Sequence, residues 1–299
     1  MERIATCPLC GSSDTMPFIS CRDHLVSKKL FHVEQCRACQ LAFTNPRPNK
    51  LKISAFYASA DYVSHSDRPR SMREKIYHGV KRYMLGRKLR WVHQFLDKGS
   101  RIMDVGCGTG AFLEALVQKG FDARGFEPGL KARQTALAKG LDVSGDEKEL
   151  EGLPEESLHG ITLWHVLEHM HDVAGKLSLF HRLLVPGGKI LIAVPLYQSL
   201  DAAFYKQHWA AYDLPRHLYH FNETSLTRAL AQSGFSLVAR KGLPFDAFYV
   251  SLLSEQQADK WPGFARVLRA LAVGAASNLA GFGGRKSWSS EVFVFEKQA

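Results

Sequence analysis

Long apolar runs are missing from this chain: no stretch of its 299 residues reaches the roughly 18 consecutive apolar residues that a bilayer-crossing helix needs. The N-terminus opens on charges and a cysteine pair where a signal peptide would carry an apolar segment, so a cytoplasmic protein with no transmembrane segment is expected. Acidic residues are in deficit, 29 against 39 Lys and Arg, for a net charge of +10. That balance favours an anionic partner, whether nucleic acid, nucleotide sugar, lipid diphosphate or membrane surface, without choosing among them. Cysteine is scarce, six in all, which in a reducing compartment points away from a disulfide scaffold. What is abundant, 45% hydrophobic residues against 23% charged, is enough for one large domain plus an appendage.

Four of the six cysteines form two pairs, Cys7-x2-Cys10 and Cys36-x2-Cys39. Each pair can fold into a tight knuckle whose amides point at the sulfurs, and together they make a closed tetrahedral site. Structural zinc is the leading reading; rubredoxin-like iron and redox-active thiols are the alternatives. Cys21 reads as filler, and Cys107 as a small residue in a loop. The ribbon-like segment 1–48 ends on Thr44-Asn45-Pro46-Arg47-Pro48, a proline-stiffened exit. Residues 49–100 then form a linker: a short helix and polar loop to about residue 70, and an amphipathic helix from about Ser71 to Leu96. Ile76, Val80, Met84, Val92 and Phe95 recur near helical spacing, and Arg73, Lys75, Lys81, Arg82, Arg87, Lys88 and Arg90 make the other side basic. That side is either a solvated face or an attractor of phosphates or anionic lipid.

From residue 101 to 299 the pattern is α/β. The strand Arg101-Ile102-Met103-Asp104-Val105 runs directly into Gly106, Gly108 and Gly110, and a helix follows from Ala111. The glycines remove side chains where the backbone must turn and lie against a ligand. Their spacing, D-x-G-x-G-x-G, is not the G-x-G-x-x-G of a dinucleotide fingerprint. A second strand delivers Glu127, an acid able to take both hydroxyls of a ribose.

On these residues, residues 101 to about 240 resemble the core of a class I S-adenosylmethionine-dependent methyltransferase. The resemblance extends to Ile161-Thr162-Leu163-Trp164-His165-Val166-Leu167-Glu168-His169, similar to the family's fourth strand and "LEH" turn. It continues in Leu184-Val185-Pro186-Gly187-Gly188-Lys189-Ile190, similar to its helix end, Pro-Gly-Gly turn and fifth strand. It implies a Rossmann-like seven-stranded sheet of order 3-2-1-4-5-7-6, with the small zinc ribbon in front. It further implies S-adenosylmethionine as cofactor, held by Asp104, Gly106, Gly108, Gly110, Glu127, Asp146 and His165. His159 stands where many relatives carry Asp, a local surface or capping change. Third, sixth and seventh strands are placed near Leu141–Ser144, Ser236–Arg240 and Glu291–Phe295. A helical insertion at about 245–283 reads as a lid, a homodimer face or a membrane-touching element.

Bases and acceptor contacts should lie on the loops after the fourth and fifth strands, outside the carboxyl ends of the parallel sheet. The run Asp213-Leu214-Pro215-Arg216-His217-Leu218-Tyr219-His220-Phe221 is dense in titrating and anion-binding groups. It resembles the "PRHxxHF" segment of a zinc-ribbon-bearing methyltransferase subgroup and, more distantly, the "EHxxYF" segment of sugar C-methyltransferases, with Arg216 in the place of that Glu. Carried over by position, proton abstraction falls on His217, with His169 as second candidate. Arg216, Tyr219 and His220 become substrate-binding residues. The expected function is methyl transfer to a small polar or anionic metabolite: a sugar, nucleotide-linked sugar or lipid-linked intermediate. The alternatives are an RNA base methyltransferase that grips phosphates with the ribbon and the basic helix, and a non-catalytic binding module.

Overall fold

The computed structural model describes residues 1–57, 72–284 and 287–298. Three strands open the chain: β1 (Thr15–Arg22), β2 (Leu30–Cys36) and β3 (Ala42–Thr44). After the helix Met72–His93, strands and helices alternate through β4 (Arg101–Val105), β5 (Asp122–Phe126), β6 (Val143–Ser144), β7 (Leu158–Trp164) and β8 (Leu184–Pro195). The two-residue β9 (Tyr219–His220) precedes β10 (Phe235–Gly242) and β11 (Ser290–Lys297). The polar loop expected up to residue 70 lies outside the described residues from 58 onward, as do the side chains of Arg73, Lys75, Ile76 and Lys81.

Seven strands form one sheet in the order β6-β5-β4-β7-β8-β11-β10, which is the expected 3-2-1-4-5-7-6. Strands β6 to β8 run parallel, and β11 is antiparallel to both neighbours. The reason is visible in β8, where Ile190, Leu191, Ile192, Ala193 and Val194 are all fully buried. A strand covered on both faces has no polar alternation, and parallel crossovers place helices on both faces. Helix Val173–Leu183 starts on the Asp172 side chain, which accepts from the Gly175 amide at 2.9 Å, a cap that fixes where the crossover turns. The third strand is shorter than expected, two residues in place of four. His159 accepts from the Arg101 amide at 3.0 Å, so it does serve as a local cap. In the helix Met72–His93, Met84 and Val92 are buried and Val80 packs beside them.

The N-terminal strands do not stand apart. Their sheet runs β1-β2-β3-β9, with Ala42 opposite His220 and Phe43 opposite Tyr219. The Thr44 amide donates to the Leu218 carbonyl at 2.9 Å. Cys7, Cys36, Cys39, Leu41 and Phe43 share one apolar core with Ile161, Leu163 and Ile192 of the large sheet. Proposed boundaries at 48 and 100 therefore mark changes of sequence pattern crossed by continuous hydrogen bonding and packing.

The insertion between β10 and β11 is a helix pair, Pro244–Ala258 and Gly263–Phe282, pinned by a buried carboxylate. Asp201 accepts from Trp209 Nε1 at 2.8 Å, Ser277 Oγ at 2.7 Å and Ser289 Oγ at 2.6 Å, so its charge is satisfied by three donors. Phe264, Leu268, Leu271, Leu279 and Phe282 face outward along the second helix.

Candidate functional site

The glycine loop at the carboxyl end of β4 makes one half of the site. Gly106 has φ +70°, and a β-carbon there would meet Val166 Cγ2 at 2.5 Å, so only glycine lets the loop press against the turn after β7. Gly108, with φ +57°, has no neighbouring atom within 4 Å of the place its β-carbon would take. That open cradle above the backbone fits a ligand laid against the loop. Glu127, at the end of β5, bends toward it: its carboxylate accepts from the Gly108 amide at 2.9 Å and the Gly129 amide at 2.7 Å. Asp104 lies beneath the loop. It is 1% exposed and accepts from Thr162 Oγ1 at 2.7 Å; burial lifts its pKa to about 7 against the pull of Thr162 and Lys88. Asp146 is exposed and caps the short helix Glu147–Glu151 through the Lys148 amide.

The turn after β7 carries the second half. His165, in the left-handed region at φ +57°, a conformation that costs a non-glycine residue about 1–2 kcal/mol, places Nε2 3.2 Å from Asp246 Oδ2 and Nδ1 3.6 Å from Glu168 Oε1. Burial alone would discharge this imidazole. Its two carboxylate neighbours outweigh burial and raise the pKa to about 9. Beside it, the His169 and His217 rings meet edge to face, 4.6 Å between centroids. Nδ1 of His169 lies 3.0 Å from the Arg216 carbonyl and Nδ1 of His217 lies 2.9 Å from the Ala211 carbonyl. A carbonyl can only accept, so Nδ1 of His217 carries the proton and its Nε2 holds a lone pair; Nδ1 of His169 also lies 2.9 Å from the Tyr57 hydroxyl, which can donate or accept. Burial, with His169 alongside, lowers the His217 pKa to about 4.

The structure thus gathers Gly106, Gly108, Gly110 and Glu127 at one end, and His165, His169, His217 and His220 at the other. The substrate-binding expectation for Arg216 and Tyr219 is corrected by their placement. Arg216 is 1% exposed; its guanidinium donates to Asp213 at 2.6 and 2.9 Å, to Asp23 at 3.1 Å and to the Phe56 carbonyl at 3.0 Å. No donor is left facing a ligand, so it braces the loop. Tyr219 points into the ribbon, donating to the His171 carbonyl at 2.9 Å and accepting from Arg47 at 3.0 Å. His220 is buried against Thr44 at 3.3 Å, and burial lowers its pKa to about 3. Its surroundings are protein on every described side. His165 likewise spends its ring nitrogens on carboxylates and not on an open cofactor cradle.

Two residues in this half were not legible in the pattern. Asp246 comes from the insertion, 81 positions after His165, with no motif around it. Lys88 is a single lysine on the basic helix, yet its amine turns inward over the Trp164 ring at 4.3 Å from the centroid. Burial lowers its pKa, countered by Asp246 and Asp104. Only its spacing from the buried Leu89 and Val92 would have hinted at an inward turn.

The four cysteines converge as their spacing predicts. Cys7 and Cys39 sulfurs are 3.5 Å apart, Cys10 and Cys36 sulfurs 3.6 Å, and one sulfur from each lies within 4.8 Å of the others. Disulfides need about 2.05 Å, whereas sulfurs 2.3 Å from a shared tetrahedral ion stand about 3.8 Å apart. Burial raises the Cys7 thiol to about 11 and the Cys39 thiol as well, whereas at Cys36 the amides of Cys39 and Ala38 and the Cys10 thiol outweigh burial and lower its pKa. The donor set and its geometry fit a closed thiolate site.

Comparison with known proteins gives the frame. Residues 78–240 match the family described as "Methyltransferase domain". The chain is 31% identical over 102 residues to the ubiquinone biosynthesis O-methyltransferase of Pseudomonas aeruginosa, covering 32% of this chain and 44% of that protein. To its Methylocella silvestris counterpart it is 30% identical over 162 residues, 50% of this chain and 63% of that protein. The chain spans about half the length of the curated relatives it matches. A SAM-dependent methyltransferase structure from Archaeoglobus fulgidus superposes with a TM-score of 0.51 at 19% identity, covering 72% of this chain and 94% of that one, a likeness of fold.

Proposed function

This chain belongs to the class I S-adenosylmethionine-dependent methyltransferases, and from that premise we propose that it methylates a hydroxyl-bearing small metabolite of the sugar, nucleotide-sugar or lipid-linked kind. Supporting an oxygen acceptor, the curated relatives carry O-methyltransferase names. Supporting a small molecule, among the described basic side chains of the helix Lys88 is turned inward and Arg87 lies over its own helix's Trp91 at 5.0 Å, which speaks against the RNA reading.

The bound cofactor supplies a methyl group already activated on a sulfonium. The chain's task is to hold it and to receive the acceptor's proton. In this reading Gly108 and Glu127 form the cofactor cradle, and Asp104 and Gly106 fix the loop from below and behind. His217 takes the proton at Nε2, because its Nδ1 proton is committed to the Ala211 carbonyl; the lowered pKa of about 4 keeps it unprotonated at neutral pH. His169 is the second base. Arg216 positions His217 through Asp213 and carries no substrate contact. The cysteine site is assigned to structural zinc.

The observation that carries the proposal is the edge-to-face pair of imidazoles, His169 on the turn that packs against Gly106 and His217 on the run 213–221 beside it. It is tested by a transfer screen with labelled cofactor against nucleotide sugars, lipid-linked glycans, phenolic hydroxyl compounds and total RNA. His217→Ala should lower turnover at least about a hundredfold while calorimetry finds cofactor affinity unchanged. Full turnover in His217→Ala would remove the base assignment.

A further inference from the structure

Glu168 is 1% exposed, and among the described residues neither of its carboxylate oxygens has a hydrogen-bond partner. A buried carboxylate left without donors is costly. His165 stands 3.6 Å from it and shares its charge with Asp246 at 3.2 Å, so the imidazolium balances the Glu168 carboxylate only in part.

One carboxylate oxygen of Glu168 and one ring nitrogen from each of His169 and His217 lie within 4.8 Å of one another. The histidines are prepared in a particular way. Nδ1 of His217 gives its proton to the Ala211 carbonyl, and Nδ1 of His169 lies between the Arg216 carbonyl and the Tyr57 hydroxyl. That outer bond fixes the tautomer and ring orientation of histidines that ligate metals through the second nitrogen.

We propose that Glu168, His169 and His217 form a second metal site, holding a divalent first-row transition cation. The ligands are the Glu168 carboxylate and the two imidazole nitrogens not committed to the carbonyls. Two histidines and one carboxylate leave coordination positions open, unlike the four-thiolate site. A cation and a proton compete for the same imidazole lone pairs, so a loaded site and His217 acting as base are alternative states. This goes beyond the methyl-transfer reading, and cation binding is measurable without turnover.

The experiment is a titration of the full-length, as-purified protein with manganese(II) chloride, an ion with little affinity for the cysteine thiolates. Free manganese is followed by electron paramagnetic resonance, and the imidazole resonances of isotopically labelled wild-type protein are recorded in parallel. One saturable site per chain is expected, with broadening of the His169 and His217 signals ahead of other histidines. Glu168→Gln should weaken binding at least thirtyfold. Melting curves show whether this variant is folded; if it is not, the wild-type broadening pattern decides alone. Absence of saturable binding, broadening confined to other residues, or unchanged affinity in folded Glu168→Gln overturns the proposal. Cofactor calorimetry on the same samples keeps that failure distinct from a failure of the methyltransferase reading, since cofactor binding without manganese binding sinks the metal site alone.

Discussion

The two ends of this site are built on opposite principles. The cofactor end is made of backbone and small residues from one continuous run, Asp104 to Gly110, completed by Glu127 at the next strand end. The histidine end is made of buried charges and imidazoles drawn from four separate segments: the ribbon edge, the turn after β7, the run 213–221 and the insertion helix that carries Asp246. A site that recognises a fixed ligand can be written in consecutive residues. One that recognises a variable acceptor is assembled from distant ones, and buried electrostatics hold it in register.

If that contrast is right, the histidine end should fail by unfolding and the cofactor end by losing its ligand. The largest effect is expected from Arg216→Met, which strands Asp23 and Asp213: breaking a buried pair costs about 3–5 kcal/mol, read as a lower urea midpoint. Acid should attack the same end. His220 has its pKa pulled by burial to about 3 in the folded chain against about 6.5 when unfolded. Its contribution is present above pH 6.5 and is lost as pH falls toward 3, roughly 5 kcal/mol in all. A His220→Gln variant should therefore show a flatter stability profile over that window; an unchanged slope would place the acid sensitivity elsewhere.

At the cofactor end, Gly106→Val collides with Val166 and cannot hold φ +70°. Its affinity for S-adenosylmethionine should drop at least about a hundredfold, roughly 3 kcal/mol, while thermal unfolding shifts far less than in Arg216→Met. Glu127→Gln keeps the shape and loses the charge, so about a tenfold loss, near 1.4 kcal/mol, is expected by calorimetry. Smallest is Asp246→Asn. With one carboxylate gone, the His165 pKa should fall from about 9, which nuclear magnetic resonance titration would read directly.

The same contrast explains what the sequence disclosed. The glycine turn and Glu127 were legible because each depends on neighbours a few residues away, and the strand order came with the family resemblance those residues carry. The meeting of four cysteines was legible from spacing. Arg216 was misassigned because a guanidinium looks the same in sequence whether it faces a ligand or Asp23, a residue 193 positions earlier. Asp246 and Lys88 carried no local signal, since their partners are set by how the insertion and the basic helix dock. The junction of β3 with β9 was equally hidden: two residues, Tyr219 and His220, are too short a run to read as a strand.

That junction has a consequence for engineering and for evolution of the acceptor pocket. His217 sits two residues before a strand whose sheet partner is β3, so the cysteine-held hairpin acts as a jig that sets how far the imidazole reaches. Exchanging residues 1–48 for those of another relative would shift the reach of His217 unless residues 213–221 travelled with them, and the two segments are expected to be inherited as a pair.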